Sequence, residues 1–290
     1  EADWPDAGRV DGYVLGGMRR SSLEFTAFDR FPTWMWRNEE AHDFVDWLRA
    51  YNADQRRRVG FHGLDLYSLF TSIAAVLAYL DGVDPDAAKV ARHRYGALTP
   101  WQKDPAAYGQ AVLVGRYESS ETAVVAMLRD MLARRIDYAQ RDGERFFDAA
   151  QNARVVADAE RYYRAMYYGA AASWNLRDSH MFDTLRSLFS FYGPESKGIV
   201  WEHNSHVGDA RATEMSARGE HNVGQLCRIA VLLAEEQVQR LLHAQQVVLQ
   251  RTRYRIEQRA VVPGHRAAGV FQLTGVGQQA VQRVGAAQQL

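Results

Sequence analysis

The sequence predicts an α/β protein: a central mixed sheet flanked by helices, with a helical hairpin or bundle inserted between strands. Three observations point there. Two short apolar runs interrupted by glycine, Arg58 to Leu66 and Lys197 to Glu202, have the length and boundaries of buried strands. The long stretch between them has helical periodicity almost throughout, the alternation expected when helices pack on a sheet. With 290 residues, 47% of them hydrophobic and 24% charged, the chain is large enough for a sizeable core.

The elements follow in order. Glu1 to Trp36 carries Pro5, Pro32, several glycines and three of the seven tryptophans, and reads as loops and short helices. Asn38 stands where an N-cap belongs, ahead of Phe44, Trp47, Leu48 and Tyr51 at spacings of three and four, an amphipathic helix. Beyond the first strand, which ends near Asp65, Tyr67 to Leu80 is predicted helical, with Asp81-Gly82 as its stop. Pro85 to Tyr108 is a polar connection holding a short helix around Ala87 to Arg94. From Glu121 to Gly169 two stripes recur at helical spacing, one through Met127 and Met131, the other through Ala150, Val155, Ala159 and Tyr162. They read as core packing, with a break at Asp142-Gly143. Ser179 to Tyr192 is a further helix, ended by Gly193-Pro194, and the second strand then runs into His203.

Residues 1–228 therefore read as one partial domain with its helical insertion over 85–192, and 229–290 as a tail of different character. Those last 62 residues hold 12 Gln and no Asp, Asn, Lys, Ser, Trp or Met. Such a shift marks a disordered tail, a separate domain or translation outside the natural frame, and the last two are favoured.

Composition excludes several function classes. Charge is balanced at 35 basic against 35 acidic residues, so nothing global draws the chain to nucleic acid or anionic lipid. The single cysteine, Cys227, cannot form an internal bridge, which suits a reducing compartment, and a cytoplasmic location is expected. The longest mostly apolar run, Ser68 to Leu80, falls short of the ~20 residues a bilayer span needs. No secretory leader opens the sequence, and its first residue is not methionine, so a fragment or a processed start is expected. The expected partner is a small molecule, with no nucleic acid and no membrane.

Four clusters are equipped for chemistry. Trp201-Glu202-His203-Asn204-Ser205-His206 delivers two histidines from an apolar run into a turn, where imidazoles can move protons near neutral pH. Phe61-His62-Gly63-Leu64-Asp65 places an acid and an imidazole at the other strand end; Asp65 either orients a histidine or caps the next helix. Arg177-Asp178 either holds a substrate oxygen or forms a structural ion pair. Glu1, Asp3 and Asp6 make a carboxylate site only if they follow a strand. A Gly-rich phosphate loop, a G-x-S-x-G elbow and an H-E-x-x-H helix are all missing, and Cys227 lies outside these clusters. What remains is histidine and carboxylate chemistry on water, or a metal held by the same groups.

These clusters, together with Phe31-Pro32-Thr33-Trp34-Met35-Trp36-Arg37-Asn38 and Asn175-Leu176-Arg177-Asp178-Ser179-His180-Met181, occur in an order that resembles the erythromycin esterase family, which includes proteins labelled succinoglycan biosynthesis proteins. The resemblance implies a mixed α/β core with a helical insertion. It also implies hydrolysis of an ester or macrolide lactone without metal or cofactor, a histidine activating water with help from glutamates and a second histidine. By motif position Glu1 and His203 are the expected catalytic residues, with His206, Asp65 and Arg177 in supporting or substrate-binding roles. The family's Gly-Glu-x-x-His-Gly segment, which supplies the water-activating histidine, is not in this sequence, so the chain is expected to be inactive or nearly so. The alternatives are a metallohydrolase using His203, His206, Asp65 and Glu1, a non-catalytic binding or polysaccharide-biosynthesis accessory protein, and a gene fragment without an independent role.

Overall fold

The computed structural model describes residues 1–17, 28 and 33–232. The chain divides into two units, Glu1–Val231 and Leu232–Leu290. The readings made for the tail beyond 232 lie outside the described residues.

The predicted central sheet is not formed. Among the described residues there is no strand, only one isolated parallel bridge between Asp3 and Asp65. Both runs read as strands are extended but lack a ladder of backbone partners, without which an extended run is a connection. An apolar run of that length does not by itself distinguish the two. In the second run Ile199 is 98% exposed, so that run is not a buried strand either.

The extended segments nevertheless lie side by side. Ala2 O accepts from Leu64 N at 2.8 Å and Asp65 N at 3.0 Å, Asp3 Oδ1 accepts from Tyr67 N at 2.7 Å, and Glu1 N donates to Trp201 O at 3.3 Å. Gly63 permits this approach, because a Cβ there would stand 2.4 Å from Asp3 O.

Helices build the rest. The first, α1 (Trp4–Val14), has a proline in its opening turn, where the missing N–H costs nothing. It is one of the short helices expected there, and its buried face through Ala7, Val10 and Val14 outweighs the two glycines in it. After α2 (Thr33–Trp36), α3 (Glu39–Ala53) starts at the expected cap, Asn38 Oδ1 accepting from Ala41 N at 2.8 Å. Next come α4 (Leu69–Val83), α5 (Pro85–Gly96) and α6 (Pro105–Leu113); Asp84 and Asp104 cap the last two. The expected break at Asp142 is a cap too: α7 (Glu121–Ala133) and α8 (Arg135–Arg141) precede it, and its carboxylate accepts from Arg145 N to open α9 (Gly143–Ala165).

The α9 helix is the hub, packed by α4, α6, α7, α8 and the next long helix, α10 (Ala170–Tyr192). Small residues Ala149, Ala153 and Ala159 are fully buried along it, and Gly109 of α6 meets it so closely that a Cβ would lie 1.9 Å from Tyr163 O. The main core gathers Leu66, Leu69, Val76, Leu80, Met127, Met131 and Met181; a second cluster joins α1 to α3 through Val10, Val14, Val45 and Leu48. Two short turns, α11 (Asn204–Val207) and α12 (Glu214–Ala217), follow the second extended run.

Candidate active site

Helical spacing builds one wall of the site. In α10 residues 174, 177 and 178 stand at i, i+3 and i+4, so Trp174, Arg177 and Asp178 share a face. Arg177 reaches the extended segments: Nε donates to Asp65 Oδ1 at 3.0 Å, and Nη2 donates to Asp65 Oδ2 at 2.7 Å and to Glu1 Oε1 at 2.8 Å. This planar fork is the geometry that arginine, not lysine, offers a carboxylate. The Tyr67 ring covers the guanidinium, its centroid 5.1 Å away. All these charged side chains are buried.

His206 is the second hub. Nδ1 lies 2.9 and 3.0 Å from the two Asp178 oxygens, and Nε2 lies 3.4 Å from Glu1 Oε1 and 3.3 Å from Arg177 Nη1. A charged imidazole donates from Nε2 to Glu1; a neutral one accepts there from Arg177, so either protonation state finds a partner. Trp174 stacks on the ring, centroids 4.6 Å apart and planes 5° from parallel. Asp178 also accepts from Val223 N at 3.0 Å.

Burial works against charge throughout this network, and hydrogen bonding decides each case. For His206 burial disfavours the imidazolium, but the bonds to Asp178 and Glu1 outweigh it and push the pKa up to about 9. For Glu1 burial also opposes ionisation; bonds from His206, the His203 backbone and Arg177 overcome it and hold the carboxyl well below the usual range. At Asp178 burial prevails and raises the carboxyl, although its three acceptor contacts are those of an ionised group. Glu202, 8% exposed with both oxygens unpartnered, is pushed up by burial and keeps its proton more readily than an ordinary glutamate.

Of the residues singled out from sequence, Glu1, Asp65, Arg177 and His206 come together in one buried cluster. His203 joins through its backbone, donating its N–H to Glu1 Oε2 at 2.9 Å, while its ring is exposed. That ring is held at Nδ1, 2.8 Å from Ser205 Oγ and accepting from Ser205 N at 3.3 Å. Asp65 orients Arg177, neither capping α4 nor bonding His62; His62 instead stacks on Trp4 and meets the Tyr192 hydroxyl at 3.1 Å. Among the described residues no group of three or more His, Cys, Asp or Glu side chains is arranged to hold a metal. Arg177, a fixed cation, already engages the carboxylates that a metal set of Glu1 and Asp65 would have to offer.

A family model for erythromycin esterase matches residues 1–231, which contain every residue of this cluster. The chain belongs to the erythromycin esterase family. Among solved structures it is similar to a Bacillus cereus protein, with 22% identity and a TM-score of 0.63 over 78% of this chain and 52% of that one. It is also similar to a succinoglycan biosynthesis protein, with 18% identity and a TM-score of 0.60 over 79% of this chain and 53% of that one. At these identities the likeness is one of fold. The chain spans about half the length of both solved structures. No helix among the described residues is long and apolar enough to cross a membrane.

Within this family member, reading the sequence alone missed Asp178 as the partner of His206 and Trp174 as the surface under it, and gave Glu202 no role of its own. The spacing of Trp174 and Asp178 around Arg177 was the available signal for the first two.

Proposed function

We propose that this member of the erythromycin esterase family is a hydrolase that directs water at a carboxylic ester or macrolide lactone. The observation that carries the reading is the network of Glu1, Arg177, Asp65, His206 and Asp178, a buried charged floor from whose edge the exposed His203 ring projects. Such a floor is organised before substrate arrives, so a donor that it positions meets a developing oxyanion without reorganisation.

His203 has a defined part in this scheme. A backbone N–H can only donate, so Nδ1 accepts from Ser205 N and the neutral ring carries its proton on Nε2. An exposed Nε2–H donates a hydrogen bond to the ester carbonyl as it becomes an oxyanion. Glu1, ionised, fixes the His203 backbone, and Arg177 and charged His206 in turn hold Glu1 in place. In this family, resemblance assigns water activation to a Gly-Glu-x-x-His-Gly segment, which residues 1–290 do not contain.

The test is binding of a phosphonate ester, a tetrahedral mimic of the intermediate, followed by thermal unfolding. The wild-type chain is expected to be stabilised, with the effect lost in His203→Ala and Glu1→Gln. No stabilisation of the wild type, or equal stabilisation of all three, contradicts the reading. The name of one solved neighbour favours a second reading, a polysaccharide-biosynthesis role without turnover; stabilisation by an oligosaccharide but not by the phosphonate supports it.

A further inference from the structure

His206 has partners at both nitrogens, and those partners alone leave the ring free to tilt about the line joining them. What stops the tilt is Trp174, whose indole lies under the imidazole with planes 5° apart and centroids 4.6 Å apart, an offset stack. The indole is itself anchored. Its Nε1–H donates to His221 O at 2.7 Å, and the adjoining Asn175 bonds both Gly219 O and His221 N at 2.8 Å. The same connection bonds the histidine turn, since Asn222 donates to Ser205 O at 2.8 Å. Trp174 and His206 are therefore tied to one another both by their rings and through 219–223.

We propose that Trp174 is the positioning residue of this site: its indole is the fixed face that holds Nδ1 of His206 on Asp178 and Nε2 on Glu1, and that favours the positively charged imidazole. An aromatic face attracts a cation through its quadrupole, more strongly when water is excluded, and the His206 ring is 2% exposed. Asp178 and Glu1 act on the edge of the ring; Trp174 acts on its face, so the two contributions are separable by mutation. The role given to charged His206 in turnover rests on the hydrolase reading above. The effect of Trp174 on the ring does not.

The experiment titrates the His206 ring by NMR in the wild-type chain, Trp174→Phe and Trp174→Leu, alongside urea unfolding of each. Trp174→Phe keeps an aromatic face but loses the bond to His221; Trp174→Leu keeps apolar bulk without the face. The expected result is a His206 pKa about one unit lower in Trp174→Leu, a roughly tenfold shift in protonation, and much less change in Trp174→Phe. Equal pKa values in all three folded proteins, or equal shifts in the two variants, overturn the proposal and leave Trp174 a packing residue. If Trp174→Leu unfolds, Trp174→Met serves in its place: a lowered pKa beside a nearly unchanged one in Trp174→Phe supports the proposal, and the wild-type value in both overturns it. Phosphonate binding in the same samples separates the two claims. A pKa shift without any phosphonate binding sinks the hydrolase reading alone, whereas binding without a pKa shift sinks the positioning role alone.

Discussion

A guanidinium buried between two carboxylates holds only while all three groups stay together. Arg177, Asp65 and Glu1 are in that state, each less than a tenth exposed. Removing the cation strands two buried anions, which costs about 3–5 kcal/mol, whereas replacing all members by neutral groups of similar size is often tolerated. Arg177→Met is therefore predicted to lose about that much stability in urea unfolding. The triple variant Arg177→Met, Asp65→Asn, Glu1→Gln should recover part of it; a triple variant weaker than the single one argues against a mutually dependent cluster. Arg177 was legible in the sequence beside Asp178, but the sequence left open which acids it bonds. The answer joins residues more than a hundred positions apart, Arg177 to Asp65 and to Glu1, and local pattern carries no record of such contacts.

At the scale of elements, caps and periodicity translated directly. Asn38 opens α3 as its side chain and position suggested, because a short polar side chain ahead of a helical stripe has one low-energy use, and the break read at Asp142-Gly143 is where Asp142 caps α9. The two runs read as strands did not translate, because a strand is defined by its neighbour and not by its own residues. Their positions still mattered, since Asp3, Asp65 and His203 end the segments that meet at the site. Glycines test how tightly the helices pack. Gly109→Ala forces a Cβ against Tyr163 O and is predicted to destabilise by about 1–3 kcal/mol or more. Gly82→Ala on α4, with nothing within 4 Å of the added atom, should instead stabilise by about 0.5–1 kcal/mol. Thermal unfolding of the two variants checks both; equal effects would mean that α6 and α9 are not in close contact.

For the whole molecule, α9 and the helices around it form a frame against which α10 presents Trp174, Arg177 and Asp178 to the extended segments and the histidine turn. The sequence carried the family likeness and most of the site's membership. It did not carry the division of labour between its two histidines, which depends on burial. His206 is enclosed between Asp178, Glu1 and Trp174, while the His203 ring is exposed. A histidine whose folded pKa is raised stabilises the fold fully below its unfolded value near 6.5, and that contribution is lost as pH rises through about 9. Glu1 has the opposite sign: its contribution is present above 4.5 and is lost only as pH falls below the usual carboxylate range. The network is thus intact and charged across neutral pH, so that Glu1 anchors the His203 backbone there. Titration of the His206 ring by NMR in the wild-type chain tests this most directly. The expected midpoint is well above 7 and close to 9; a midpoint at or below 6.5 would mean an uncharged ring at neutral pH and would contradict a charged His206.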